Sequence, residues 1–200
     1  IVSAQDSDFD ATKLLAEQGD AEAQYNLAFM YELGNGVPEN DVEAFKWYRL
    51  AAEQGFAEAQ YNLGVMYDNG DGVPENDVEA IYWFRLSAEQ GDADAQYNLG
   101  YMYLIGDGVP ENDAEAFKWL RLAAGQGLAA AQFNLGILYA IGKSVPENYL
   151  IAYVWMSVAA AQGSYLAKDN IAIVKKSLTN EQLAQGQTLA STCFESSFKD

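Results

Sequence analysis

Apolar residues recur along this chain at helical rather than strand spacing. Within 20–55, Ala23, Leu27, Met30 and Tyr31 fall at i, i+4, i+7 and i+8, and Ala44, Trp47, Tyr48 and Ala51 form a second stripe. Asp20 stands where a carboxylate can accept from the first free N–H groups, which predicts a helix over 21–33. Gly34 suits the left-handed position that ends a helix, Asn35-Gly36 is a turn pair, and Pro38 lacks the N–H that a helix interior needs. A second helix is predicted from Asn40 or Asp41 to a stop at Gly55, with Asn40 and Glu43 at capping-box spacing.

This two-helix pattern repeats. Ala-Gln-Tyr-Asn-Leu at 23–27 returns at 59–63 and 95–99, and as Ala-Gln-Phe-Asn-Leu at 131–135. The same 36-residue step carries Trp47 to Trp83, Trp119 and Trp155, and Gly19 to Gly55, Gly91, Gly127 and Gly163. The second and third units are identical at 25 of 36 positions, which defines a repeat array. The predicted fold is therefore all-α: a solenoid of antiparallel helix pairs with full repeats at 20–55, 56–91, 92–127 and 128–163. Residues 1–19 are predicted to form a half-repeat cap. Residues 164–200 are predicted to be a truncated repeat over 164–176 followed by a capping helix, which the box Thr179-Asn180-Glu181-Gln182 starts. Small residues hold two columns, Ala28/Gly64/Gly100/Gly136 and Ala44/Ala80/Ala116/Ala152, where helix axes must approach closely.

Composition adds a charge asymmetry. The net charge is −18, and all of it lies in residues 1–142, which hold 24 acidic and 6 basic side chains. Such a field repels nucleic acid and anionic lipid and attracts basic partners; it also serves solubility. No run of apolar residues approaches a membrane span. The first residues lack the charged and apolar regions of a signal peptide. One cysteine, Cys193, allows no intrachain disulfide, and the absence of histidine removes the commonest general base and metal ligand.

The residues Ala23…Leu27-Ala28…Tyr31…Gly34-x-Gly36-Val37…Ala44…Trp47-Tyr48…Ala51-Ala52-x-x-Gly55, and Leu63-Gly64…Tyr67…Gly70-x-Gly72-Val73 after them, resemble the Sel1-like repeat consensus over roughly 8–195. In the fourth unit Lys143-Ser144 departs from the glycine turn. The resemblance implies a right-handed superhelix similar to tetratricopeptide arrays, an adaptor role, and first helices lining a concave surface. Bacterial members are often exported, which sets the expectation of a periplasmic or secreted protein. Carried onto this chain, the implied partner-binding face is Glu22, Tyr25, Asn26, Phe29 and Glu32; Glu58, Tyr61, Asn62, Val65 and Asp68; Asp94, Tyr97, Asn98, Tyr101 and Leu104; and Phe133, Asn134 and Ile137.

That face combines an aromatic column, an amide column and carboxylates. Aromatics give contact area at low entropic cost, amides can pair with an extended backbone, and carboxylates favour lysine or arginine. A protein or peptide partner of basic or mixed charge is expected. The alternative is that the tyrosines stack between units as core and that the asparagines only fix local structure. A structural subunit that docks laterally or forms a homodimer is the competing reading, and a weak hydrolase a more distant one.

No chemistry of an enzyme or a cofactor site emerges. Counted from Asp68, a calcium loop would need ligands where glycines stand, and Pro74 breaks the spacing. Ser196-x-x-Lys199 is placed where no pocket is expected, and Cys193 is expected to be a buried or half-buried structural thiol. The carboxylates recur in every unit, which suits a shared structural task rather than one catalytic pair. Phosphate-binding loops and basic patches for nucleic acid are missing.

Overall fold

The computed structural model describes residues 4–197, with side chains from 8 to 193. Among them are eleven α-helices and no strand: α1 (Ala4–Glu17), α2 (Ala21–Leu33), α3 (Asp41–Glu53), α4 (Ala57–Asn69), α5 (Asp77–Glu89), α6 (Ala93–Ile105), α7 (Asp113–Gly125), α8 (Ala129–Ile141), α9 (Tyr149–Ala161), α10 (Tyr165–Val174) and α11 (Asn180–Ser197). Successive helices pair as the periodicity requires, so the chain is an α/α repeat array of the solenoid class. It divides into two compact units, 1–95 with 107–109, and 96–106 with 110–200.

In the first unit α2 packs on α3, α3 on α4 and α4 on α5. Asp20 Oδ1 accepts from the Ala23 N–H at 2.7 Å, capping α2. Asn40 caps α3 through the Glu43 N–H at 3.2 Å, but the box is only half formed: the Asn40 N–H donates to the Tyr31 carbonyl at 2.9 Å, and the Glu43 carboxylate takes Lys46 Nζ at 2.6 Å. Ala28, Ala44, Tyr48, Leu63 and Trp83 lie in one buried cluster. Close approach explains the small-residue column: a Cβ on Gly64 would sit 2.7 Å from the Phe84 ring. Gly72 has φ +67, and a side chain there would strike the Asp41 backbone, so the turn of the second repeat rests on the start of α3.

The second unit follows the same rules. Gly100 faces Leu120 and Gly136 faces Met156, with 2.9 and 2.8 Å to a notional Cβ. Asn112 and Asn148 cap α7 and α9. The box before α11 is complete: Gln182 N–H donates to Thr179 Oγ1 at 3.2 Å, and Thr179 N–H donates to Gln182 Oε1 at 2.9 Å. Helix α11 lies against α9, with Gly186 on Tyr153 and Ala190 grouped with Val154 and Val158. Cys193 is exposed, contrary to the expected burial, because Ala190 is the last described residue that α11 buries. The Ser196–Lys199 motif lies outside the described residues.

Buried glutamines join neighbouring repeats. Gln24 donates to the Ala16 carbonyl at 3.1 Å and accepts from Gln54 Nε2 at 2.7 Å. Gln60 donates to the Ala52 carbonyl at 3.1 Å and accepts from Gln90. Gln132 donates to the Ala124 carbonyl at 3.2 Å and accepts from Gln162. Each amide thus satisfies a carbonyl at the end of the preceding second helix and the cap of the following one.

Candidate binding face

The residues implied as a partner surface all keep some exposure, and they divide by unit. Glu22, Glu58 and Asp94 project from the first turns of α2, α4 and α6. Tyr25 is half-buried, 5.6 Å from the Tyr48 ring and 5.2 Å from Phe56, and Tyr61 lies 5.9 Å from Phe84. The tyrosine column is therefore packed on one side and open on the other. Phe29 is 44% exposed, and Asn26 and Asp68 are exposed. Asn62 and Val65 border a small cavity of about 60 Å³ with Glu32, Asp41, Met66 and Asp71.

In the second unit Tyr97 stacks on Tyr101 at 6.2 Å. These two rings, Phe133 and Asn134 line one groove of about 370 Å³ together with Ala130, Ser164 and Leu166. Ile137 borders a second, more apolar hollow with Ile141, Tyr149 and Ile173. Asn98 is half-buried. None of the seven implied residues here is charged, so the carboxylates of the face belong to the first unit.

The asparagines stand beside the tyrosines of the preceding repeat: Asn134 lines the same groove as Tyr97. Burial raises the pKa of Tyr25, with Glu58 and Glu32 adding to it and the Asn62 amide opposing. Burial and then Tyr101 raise that of Tyr97. Both phenols stay neutral donors across the physiological range.

Two further patterns went unread in the sequence. The glutamine columns, Gln24/Gln60/Gln96/Gln132 and Gln54/Gln90/Gln126/Gln162, recur at the repeat step and could have been found there. The basic residues of 1–142 also follow a column: Lys13, Arg49, Arg85 and Arg121, joined by Lys46 and Lys118, all on α1, α3, α5 and α7. Helices α2, α4, α6 and α8 carry no basic residue. Among the described residues, no three His, Cys, Asp or Glu side chains gather closely enough to hold a metal ion. No described helix is long and apolar enough to cross a membrane.

Paired helices in a glycine-ended 36-residue unit define a helical-repeat protein of the α/α solenoid class. The Sel1 repeat model matches residues 21–56, 57–92, 93–128 and 129–164, and the chain belongs to the Sel1 repeat family. Sel1 repeats are generally a non-catalytic, protein-binding fold. A protective antigen of uropathogenic Escherichia coli with an SLR fold is 38% identical, with a TM-score of 0.82 over 92% of this chain and 40% of that one. A Sel1 repeat protein from Oxalobacter formigenes is 36% identical, with a TM-score of 0.75 over 82% of this chain and 48% of that one. The chain thus spans less than half the length of either. An immunity protein of Pseudomonas aeruginosa, 19% identical with a TM-score of 0.51 over 93% of this chain and 73% of that one, shares the fold alone. No curated protein matches the chain.

Proposed function

We propose that this chain is an interaction scaffold that holds an extended, basic or mixed-charge segment of a partner protein against its first-helix face. The observation that carries the reading is the separation of chemistry between helices. The first helices present tyrosine, phenylalanine, asparagine and carboxylates, and every basic side chain of 1–142 stands on the other set. A cationic segment meets attraction there with no competing cation, and the half-open rings offer apolar contact. The partner's charge is expected to matter over the first unit and its apolar side chains over the groove at Tyr97, Tyr101 and Phe133.

The experiment is affinity capture from source lysate at low and high salt, with wild type and a Tyr61→Ala/Tyr97→Ala variant whose helicity is checked by circular dichroism. A salt-sensitive partner lost from a folded variant supports the reading. Phe29→Ala with Tyr101→Ala is the second variant, since both rings are more than two-fifths exposed and their removal disturbs the core less. A partner retained by both folded variants overturns it.

Lateral docking is the second reading. It is favoured by Val42, Leu50, Val78 and Tyr82, which stand 50, 43, 66 and 53% exposed on α3 and α5. It predicts a mass that rises with concentration in sedimentation equilibrium and is indifferent to the tyrosine variants.

A further inference from the structure

The fourth repeat contains an ion cluster that the earlier repeats leave incomplete. Lys143 Nζ sits 2.5 Å from Glu111 Oε1 and 2.8 Å from Asp113 Oδ1. Two repeats earlier the equivalent of Lys143 is Asp71, and the equivalents of Glu111 and Asp113 are Glu39 and Asp41. One repeat earlier they are Asp107, Glu75 and Asp77. The carboxylates that receive an ammonium group in the fourth repeat are thus retained in the first unit, while the ammonium is replaced by another carboxylate.

A small cavity adjoins the first-unit copy of this place and shares Asp41 and Asp71 with it, while Glu32 stands there in place of Glu39. Glu32, Asp41 and Asp71 border the cavity of about 60 Å³, whose remaining walls are Asn62, Val65 and Met66. Glu32 already accepts from the Tyr48 hydroxyl at 2.5 Å, and Asp71 accepts from Asn69 Nδ2 at 3.1 Å; both donors are neutral. Among the described residues no lysine or arginine forms an ion pair with any of the three carboxylates. In the next copy Asp68 is held above the usual aspartate range, by burial first and then by Asp107, Asp77 and Glu75. The crowding of negative charge there is felt without a cation to relieve it.

We infer that the turns at Asp71 and Asp107 are receptor sites for lysine side chains of a partner, each ammonium taking the position that Lys143 fills within the chain. The carboxylates are too far apart to hold a metal ion by three ligands, which suits a larger ammonium head making separate hydrogen bonds. Val65 and Met66 give the lysine methylenes an apolar wall. This rests on the scaffold reading for its biological meaning, but it can fail separately.

The test is isothermal titration calorimetry with tetralysine amide at about 0.15 M salt, where long-range attraction to a polyanion is screened. Asp71→Lys/Asp107→Lys fills both sites as Lys143 fills the third. Glu89→Lys/Glu181→Lys makes the same charge change at exposed positions elsewhere. The inference requires affinity to fall by about tenfold or more in the first variant and by no more than about twofold in the second. Tetra(Nε-acetyl-lysine) amide should not bind. The first variant should also melt no lower than wild type, since its lysines enter ready-made carboxylate pairs. Equal losses in both variants overturn the sites and reduce the effect to net charge, as does binding of the acetylated peptide. Either result leaves the aromatic-face reading to its own test with the tyrosine variants.

Discussion

Gln90 Nε2 donates to Gln60 Oε1 at 2.8 Å, while Gln60 Nε2 donates to the Ala52 carbonyl at 3.1 Å. Two amides thereby tie the ends of α3 and α5 to the first turn of α4. Gln60 is 4% exposed and Gln132, its copy in the fourth repeat, 1% exposed. Buried amides of this kind matter less for the bonds they form than for the partners their loss would strand. Gln132→Leu strands the Gln162 amide and leaves the Ala124 carbonyl only its bond from the Gly127 N–H. A loss of about 2 kcal/mol or more in urea unfolding is expected. Gln18→Ala, on an exposed cap position, should cost well below that.

Turn geometry gives a pair of opposite expectations. Ser144 has φ +65, where the other three repeats place glycine. Ser144→Gly should stabilise by about 1 kcal/mol, the order of the left-handed penalty for a residue with a Cβ. Gly72→Ala should destabilise by more, because it adds the collision with the Asp41 backbone to the same strain. Thermal melts of the two variants check both signs.

Alkaline pH should loosen the first unit. Burial, followed by the hydrogen bond and charge of Glu32, raises the Tyr48 pKa above its ordinary 10.0. The folded chain therefore holds this proton more tightly than the unfolded chain does. Its stabilising share is complete below pH 10.0 and is lost as pH climbs toward the raised folded value. Denaturation midpoints measured from pH 8 to 11 (about the accessible range) should fall at the upper end. Tyr48→Phe should show a shallower fall.

Asp68 works in the acid range with the same sign. Its folded pKa stands above the ordinary 3.8, so the ionised form is disfavoured in the folded chain. Its favourable share is complete below 3.8 and is lost as pH rises through the folded value. Asp68→Asn should accordingly raise the melting temperature at neutral pH, and the gain should shrink in high salt and disappear in acid. Asp68 is largely solvent-facing, so the gain should be modest.

Helices, caps and turns were legible in the sequence because each is decided within a few residues and then repeated. Asp20, Gly34 and Thr179 each announce a boundary through a local bond or a backbone angle. The half-formed box at Asn40 was not legible, because the carbonyl that takes the Asn40 N–H belongs to Tyr31 of the preceding helix. The double role of Tyr25 and Tyr97 was open in the sequence for a related reason. Half-burial depends on what Phe56 or Asn134 of the next repeat does, and spacing within one helix does not report that. Cys193 was misjudged because burial at the end of α11 is set by where α9 stops offering apolar surface.

The glutamine bonds span 8 residues toward the preceding repeat and 30 toward the following cap, at every step where they are described. Cutting out or inserting a whole 36-residue cassette preserves both spans, since the residue brought into register is another glutamine. A deletion of any other length breaks a buried amide at the joint. The array can thus change its copy number without redesign of its joints, and the length of its first-helix face grows or shrinks by whole cassettes.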